Sequence, residues 1–309
     1  MDNPRSPAPP GGGQARGPGS IKVATFNCNR KTKTDPGAVA DMLDRMGVDI
    51  AGIQDTGLTS AGDEVLAQQA FYRRGYRLIC KSQVPRPGQA EYSNEELAEL
   101  HRRFVKSRVD HNDRCRLAWA IRGRLFHRSQ VVPSGLANTR FQVLRLVGRT
   151  QSLTFVNVYL PPSDKATPKG IEEIFENIEQ VLGPGVRDPM ILVGDMNGVE
   201  DPLLDRASHA PLTAAERATV ECTTSLALFD PYRVVHPHES RFSFSGPVGQ
   251  SRIDRTMVDT ELWYGVMGAG VERLFDLDHN PAWVQLMVPA DPRGVAAAPG
   301  AKAVRYDIP

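Results

Sequence analysis

Apolar residues fall along this chain in short runs of two kinds. Alternating or continuous short runs predict strands over 21–27, 48–54, 76–81, 116–122, 128–133, 139–147, 151–159, 189–194, 241–245, 252–258, 267–274 and 282–288. Apolar residues three and four apart predict helices over 36–46, 61–73, 94–108, 168–182, 213–226 and 260–264. The clearest helical stripe is Ile171, Ile174, Phe175, Ile178 and Val181. Strands separated by helices predict an α/β domain, and no internal repeat is visible.

Many of the strand runs end in polar residues. IKVATFNCN closes with Asn27 and Asn29, VDIAGIQD with Gln54 and Asp55, and SLTFVNVYLPPSD passes Asn157 and Tyr159 to a Pro-Pro stop. ILVGDMNGVEDPLLDR carries Asp195 and Asn197, SRIDRTMV carries Asp254, and Asp278-His279 follows. Side chains two apart on a strand share a face, so Gly-Asp-x-Asn brings a carboxylate and an amide to one rim. There the carboxylate can take a proton from water, and the amide can hold a phosphate oxygen or a metal-bound water. Each element has a plainer competitor. Gly-Asp after a strand is a turn as often as a site, Asn27 and Asn29 fit turns, Tyr159 fits a core, and Asp254 can pair with Arg252 or Arg255. Polar strand ends recurring across a whole α/β pattern read instead as one crevice at the strand ends.

Composition permits a full core. Of 309 residues, 40% are hydrophobic, enough for one domain over 21–289. The Pro/Gly-rich residues 1–20 read as a disordered leader and 290–309 as a flexible tail. No apolar signal core or bilayer-length window is present, which predicts a soluble, intracellular protein that is not secreted. Cys28, Cys80, Cys115 and Cys222 are widely spaced, suggesting reduced thiols rather than a zinc ribbon or disulfide framework. The formal charge of +1 decides nothing about nucleic acid, because an enzyme that cuts DNA must release it. Local basicity exists in HRRFVKSRVDHNDRCR, preceded by a capping-box start at SNEE. An inserted basic helix near 93–110 therefore offers Arg102, Arg103, Lys106 and Arg108, with Arg252 elsewhere, as DNA-backbone contacts; a solvated helix face explains the same charges.

The order Asn27, Asp55, Tyr159, Asp195-x-Asn197, Asp254, Asp278-His279 resembles the endonuclease/exonuclease/phosphatase superfamily. Within it, GDMNGVEDPLLDR and FDPYRVVHPHESRFSFSGPVGQSRIDRTMV resemble the endonuclease domain of LINE-type (non-LTR) retrotransposons, over roughly residues 21 to 288. The resemblance implies a four-layer α/β sandwich of two packed mixed β-sheets flanked by helices. It implies a metal-dependent phosphodiesterase, a DNA endonuclease using Mg²⁺, with Mn²⁺ as a substitute, on a nucleic-acid partner and without a membrane. A retroelement origin would place it in the nucleus. By the same resemblance Asp195 is the general base, Asn27 and Asn197 orient phosphate and water, and Tyr159 donates to phosphate. Asp254 fixes His279, Asp55 holds the metal, Asp278 assists metal or base, and Asn29 stands where some relatives carry a carboxylate.

Three departures matter. Asp55 replaces the more usual Glu and is shorter by one carbon–carbon bond of about 1.5 Å; Leu277 replaces a Ser; and Phe242-Ser243-Phe244-Ser245 replaces a Thr-Trp or Thr-Phe pattern. The first two support one alternative, a catalytically weakened retroelement-derived relic. The other alternative is a phosphatase or phosphodiesterase on lipid or small phosphate esters, although SRIDRTMV lacks the Trp-Cys-Asp-Arg pattern of inositol phosphatases. A hairpin near 242–250 is expected either to enter a minor groove or to serve as a surface connector.

Overall fold

The computed structural model describes residues 19–80, 116–132, 140–148, 151–183, 188–247, 249–273 and 277–287. The expected basic helix, with Arg102, Arg103, Lys106 and Arg108, lies outside the described residues, as do residues 1–18 and the tail from 288. Strand β1 (Ser20–Asn27) is followed by α1 (Lys31–Thr34), α2 (Pro36–Arg45), β2 (Ile50–Gln54), α3 (Ala61–Arg73) and β3 (Tyr76–Cys80). Next come β4 (Leu117–Arg122), α4 (Gly123–Phe126), β5 (Ser129–Val132), β6 (Phe141–Leu146), β7 (Leu153–Tyr159), α5 (Pro168–Leu182) and β8 (Met190–Asp195). The remainder holds α6 (Ala214–Ser225), β9 (Leu228–Phe229), α7 (Pro231–Val235), β10 (Phe244–Gly246), β11 (Gly249–Ser251), β12 (Asp254–Asp259), a 3-10 turn (Thr260–Gly265), β13 (Val266–Val271) and β14 (Ala282–Met287).

The long helices start where their caps dictate. Ser60 and Asp63 form a reciprocal capping box at α3, and Thr213 and Glu216 do the same at α6. Thr167 caps α5 ahead of Pro168 at a position where the missing N–H is no loss. The strand expected over 241–245 begins only at Phe244. Ser243 is instead drawn into the loop carrying His279, its carbonyl accepting from Asn280 N–H at 2.6 Å.

Two six-stranded mixed sheets result. The first has order β13-β14-β1-β2-β4-β3 and the second β5-β6-β7-β8-β12-β9. β1–β2 and β7–β8 are parallel pairs, and the others are antiparallel. On the outer face of the first sheet Phe26 and Ile53 pack with Leu43 of α2 and Phe71 of α3. On the outer face of the second, Val156 and Leu192 pack with Ile171, Phe175 and Ile178 of α5 and Ala218 of α6. Between the sheets lie Val23, Ile50, Trp119, Phe155, Ile191, Val193 and Val258. The layers are therefore helix, sheet, sheet, helix: a four-layer α/β sandwich.

The inner faces are graded along the strands. Alternation on β1 runs inward through Val23, Thr25 and Asn27, and on β7 through Phe155, Asn157 and Tyr159. On β8 it runs through Ile191, Val193 and Asp195, and antiparallel β12 delivers Asp254 opposite Asp195. Apolar packing thus gives way to polar groups at one end of the sandwich.

Candidate active site

Asp195 is 1% exposed, at the last position of β8. Both its oxygens are held: Asn27 Nδ2 donates to Oδ2 at 2.8 Å from the facing sheet, and Asn197 N–H donates to Oδ1 at 2.8 Å. Burial first, and then the nearby Asp254 charge, push its pKa up to about 7; His279 and the two donors pull the other way without cancelling the rise. Asn197 sits at φ 48°, a left-handed conformation that Asn tolerates, and its Nδ2 is anchored on the Leu160 carbonyl at 2.8 Å. The turn after β8 is therefore part of the site.

Asp254 is fully buried and accepts from His279 Nδ1 at 2.8 Å. Burial alone would lower the imidazolium pKa, but the Asp254 charge and hydrogen bond outweigh it, with help from Asp195 and Asp278, and raise it to about 9. His279 is thus a cation at neutral pH. With Nδ1 engaged, Nε2 is its remaining donor. Phe244 packs on the ring at 4.8 Å between centroids, and Ser243 Oγ accepts from the N–H groups of Ile253 and Asp254 at 3.0 and 2.9 Å. The hairpin strand β10 thereby holds the histidine against β12.

Tyr159 follows in the same row as Asn157. Its hydroxyl is pushed up to about 12, by burial first and then by the charges of Asp55 and Asp195, with Arg116 and Arg140 opposing. It is a protonated donor at any ordinary pH, and the carboxylates of both sheets bear on it. Asp55 has φ 47° and Asn29 φ 42°. Asn29 N–H donates to Asn27 Oδ1 at 3.1 Å, and its Nδ2 donates to Asp278 Oδ2 at 2.9 Å.

Among the described residues, Asp195, Asp254 and His279 are the cluster whose ligand atoms lie within 4.8 Å of one another, close enough to share a metal ion. Asp55, Asp278 and Asn29 stand outside that trio. Asp254 Oδ1 is buried without a hydrogen-bond partner, and the Asp195 pKa is raised by burial first and then by the Asp254 charge. A buried carboxylate oxygen left without a donor is the kind of hard ligand that suits a divalent cation such as Mg²⁺.

Arg252 is a correction. It was expected to contact DNA, but it is 1% exposed, with Nε and Nη2 on the two oxygens of Asp205 at 2.8 and 3.1 Å and Nη2 2.6 Å from Asp230 Oδ2. A guanidinium so enclosed cannot reach a phosphate. Arg255 pairs with Glu200 at 3.1 Å, so neither arginine is the partner of Asp254. Sequence reading also passed over Arg116 and Arg140, whose charges act on Tyr159. They precede β4 and β6 rather than end a strand. Because β4 is antiparallel to β2 and β6 to β7, those starts share the rim with the ends of β2 and β7. The pattern of polar strand ends overlooks antiparallel beginnings.

A family model described as the Endonuclease/Exonuclease/phosphatase family matches residues 24–283. No curated protein matches the chain by sequence. Among solved structures, the endonuclease domain of TRAS1, a telomere-specific non-LTR retrotransposon, is similar with a TM-score of 0.56 at 19% identity, covering 87% of this chain and 99% of that one. The AP endonuclease LMAP from Leishmania major gives 0.63 at 14% identity, covering 88% and 89%. The 3′ phosphatase NExo from Neisseria, bound to product DNA hairpin, gives 0.60 at 16% identity, covering 86% and 99%. At such identities these likenesses establish the fold.

Proposed function

Because the chain belongs to the Endonuclease/Exonuclease/phosphatase family, a family of phosphoester hydrolases, we propose that it is a divalent-metal-dependent phosphodiesterase whose substrate is DNA, cut internally. The observation that carries this reading is the opposition of a buried carboxylate near pKa 7, Asp195, and a buried Asp254–His279 pair near pKa 9 on adjacent strands. Two groups whose environments separate their protonation states in this way supply a base and a cationic donor at one pH.

Asp195 accepts the proton of the attacking water, with Asn27 and Asn197 fixing both oxygens so that the lone pairs keep one direction. His279 donates through Nε2 to a phosphoryl oxygen, and Asp254 holds its ring and its charge. Tyr159 adds a second donor, kept protonated by its surroundings. Asp55, together with Asp278 and the Asn29 amide hydrogen-bonded to it at 2.9 Å, would hold Mg²⁺ or Mn²⁺, which when bound neutralises phosphoryl charge and eases departure of the alkoxide. DNA as substrate is favoured by the named activities of the similar structures, an endonuclease domain and an AP endonuclease among them.

The test offers the purified protein, with Mg²⁺, an intact duplex, a duplex with one abasic site and a duplex ending in a 3′ phosphate. Internal cleavage of either of the first two supports the proposal. Removal of the terminal phosphate alone would assign a phosphatase and overturn it.

A further inference from the structure

Thr25, Gln54 and Asn157 are fully buried and have no part in the chemistry above. They form a polar row directly beneath the rim. Thr25 Oγ1 donates to Gln54 Oε1 at 3.1 Å, and Gln54 Nε2 donates to Asn157 Oδ1 at 2.6 Å. Asn157 Nδ2 donates in turn to the carbonyls of Ile53 and Ala118 at 3.3 and 3.1 Å. Asn157 belongs to the second sheet, and every one of these partners belongs to the first. The amide reaches across because Gly52 makes room: a Cβ there would lie 2.6 Å from Val193 Cγ2 and 2.9 Å from Asn157 Cγ.

An apolar layer needs no such row to cohere, and buried amides are costly unless satisfied. What hydrogen bonds add to apolar contact is direction and fixed length. One rung nearer the rim, the Asn27–Asp195 bond crosses the same gap between the same sheets. We propose that Gln54 and Asn157, braced by Thr25, are positioning residues that set the separation of the two sheets and thereby hold Asn27 on Asp195. The catalytic half of this inference rests on the function proposed above; the geometric half does not.

Asn157→Leu strands the Gln54 amide and should destabilise the protein. Gln54→Met/Asn157→Leu removes both amides and should regain part of that stability, since replacing both members of a buried pair by apolar groups is close to neutral, while the buried Thr25 hydroxyl loses its acceptor. Phosphodiester turnover in the double variant should nevertheless stay down by about 10-fold, on the order expected for a base displaced from its productive geometry, with KM little changed. A purely structural pair would recover turnover together with stability, which would overturn the proposal.

A mutant cycle on unfolding decides the geometric half without any activity. Asn27→Ala should raise the unfolding constant by about 5-fold in the native background, the ordinary effect of one buried hydrogen bond. In the double variant the effect should fall below about 2-fold, because the bond is already displaced. Equal effects in both backgrounds would sink the idea. If the double variant does not fold, Thr25→Val, which withdraws one brace from Gln54, carries the same cycle with the same two outcomes. A native protein inert on every phosphoester would end the proposed function, and the cycle would still decide the positioning role.

Discussion

Replacing Arg252 with Met should cost about 3–5 kcal/mol of stability at pH 7, the range for removing one partner of a buried ion pair. The guanidinium is 1% exposed between Asp205 and Asp230, both of them buried. Burial pushes the Asp205 carboxyl up, but Arg252, then Arg255 and Arg233, outweigh it and hold the pKa at about 2. An unfolded Asp titrates near 3.9, so this one carboxylate accounts for about 2.5 kcal/mol at neutral pH. Its folded pKa is depressed. The stabilisation is therefore present above about pH 4 and is lost as pH falls through about 2. In the variant, Arg233 still contacts Asp205 but the bidentate partner is gone, so Asp205 protonates at higher pH and the penalty narrows on acidification. Urea unfolding of both proteins at neutral and mildly acidic pH reads the difference directly. A loss under about 1 kcal/mol, the size of a surface ion pair, accompanied by weaker DNA binding, would refute the buried network and return Arg252 to the surface.

Turnover should rise with pH through about 7 as Asp195 loses its proton, and fall through about 9 as His279 loses its own; a pH–rate profile of the native protein that lacks either limb would contradict the assignment of that group. On the stability side, the raised His279 pKa means that the Asp254–His279 pair contributes fully below the unfolded value of about 6.5 and is lost as pH rises through about 9. Asp195→Asn should cut turnover by about 100-fold or more with a modest change in thermal midpoint, because removing a disfavoured buried charge offsets turning the new NH2 onto one of the two donors that now meet the carboxylate. Gly52→Ala should destabilise by about 1–3 kcal/mol in chemical denaturation, since the added carbon overlaps Val193 and Asn157 in a packed layer.

Much of this fold was legible because its pattern is local. The stripe on α5, the caps of α3 and α6 and the apolar runs of β1, β2, β7 and β8 each announce themselves within a few residues. Short elements did not: α1, α4, α7, β9 and β11 have too few residues for a period to show. Asp195, Asn197, Asp254 and His279 stand out by their order along the chain, and the structure brings them to one rim. Arg252 was misplaced because charge in a sequence says nothing about burial, and its partners Asp205 and Asp230 are distant in sequence. Gln54 and Asn157 were visible as polar strand positions, but that one pairs with the other across two sheets is a tertiary fact.

Supercoiled plasmid incubated with Mg²⁺ and the native protein, Asp195→Asn or His279→Asn tests most directly the proposed hydrolysis of DNA by Asp195 and the Asp254–His279 pair with a divalent cation. Relaxed circles from the native protein, abolished by chelation and by either substitution, are the predicted result. Intact plasmid with all three folded proteins, or nicking that survives both substitutions, would contradict it.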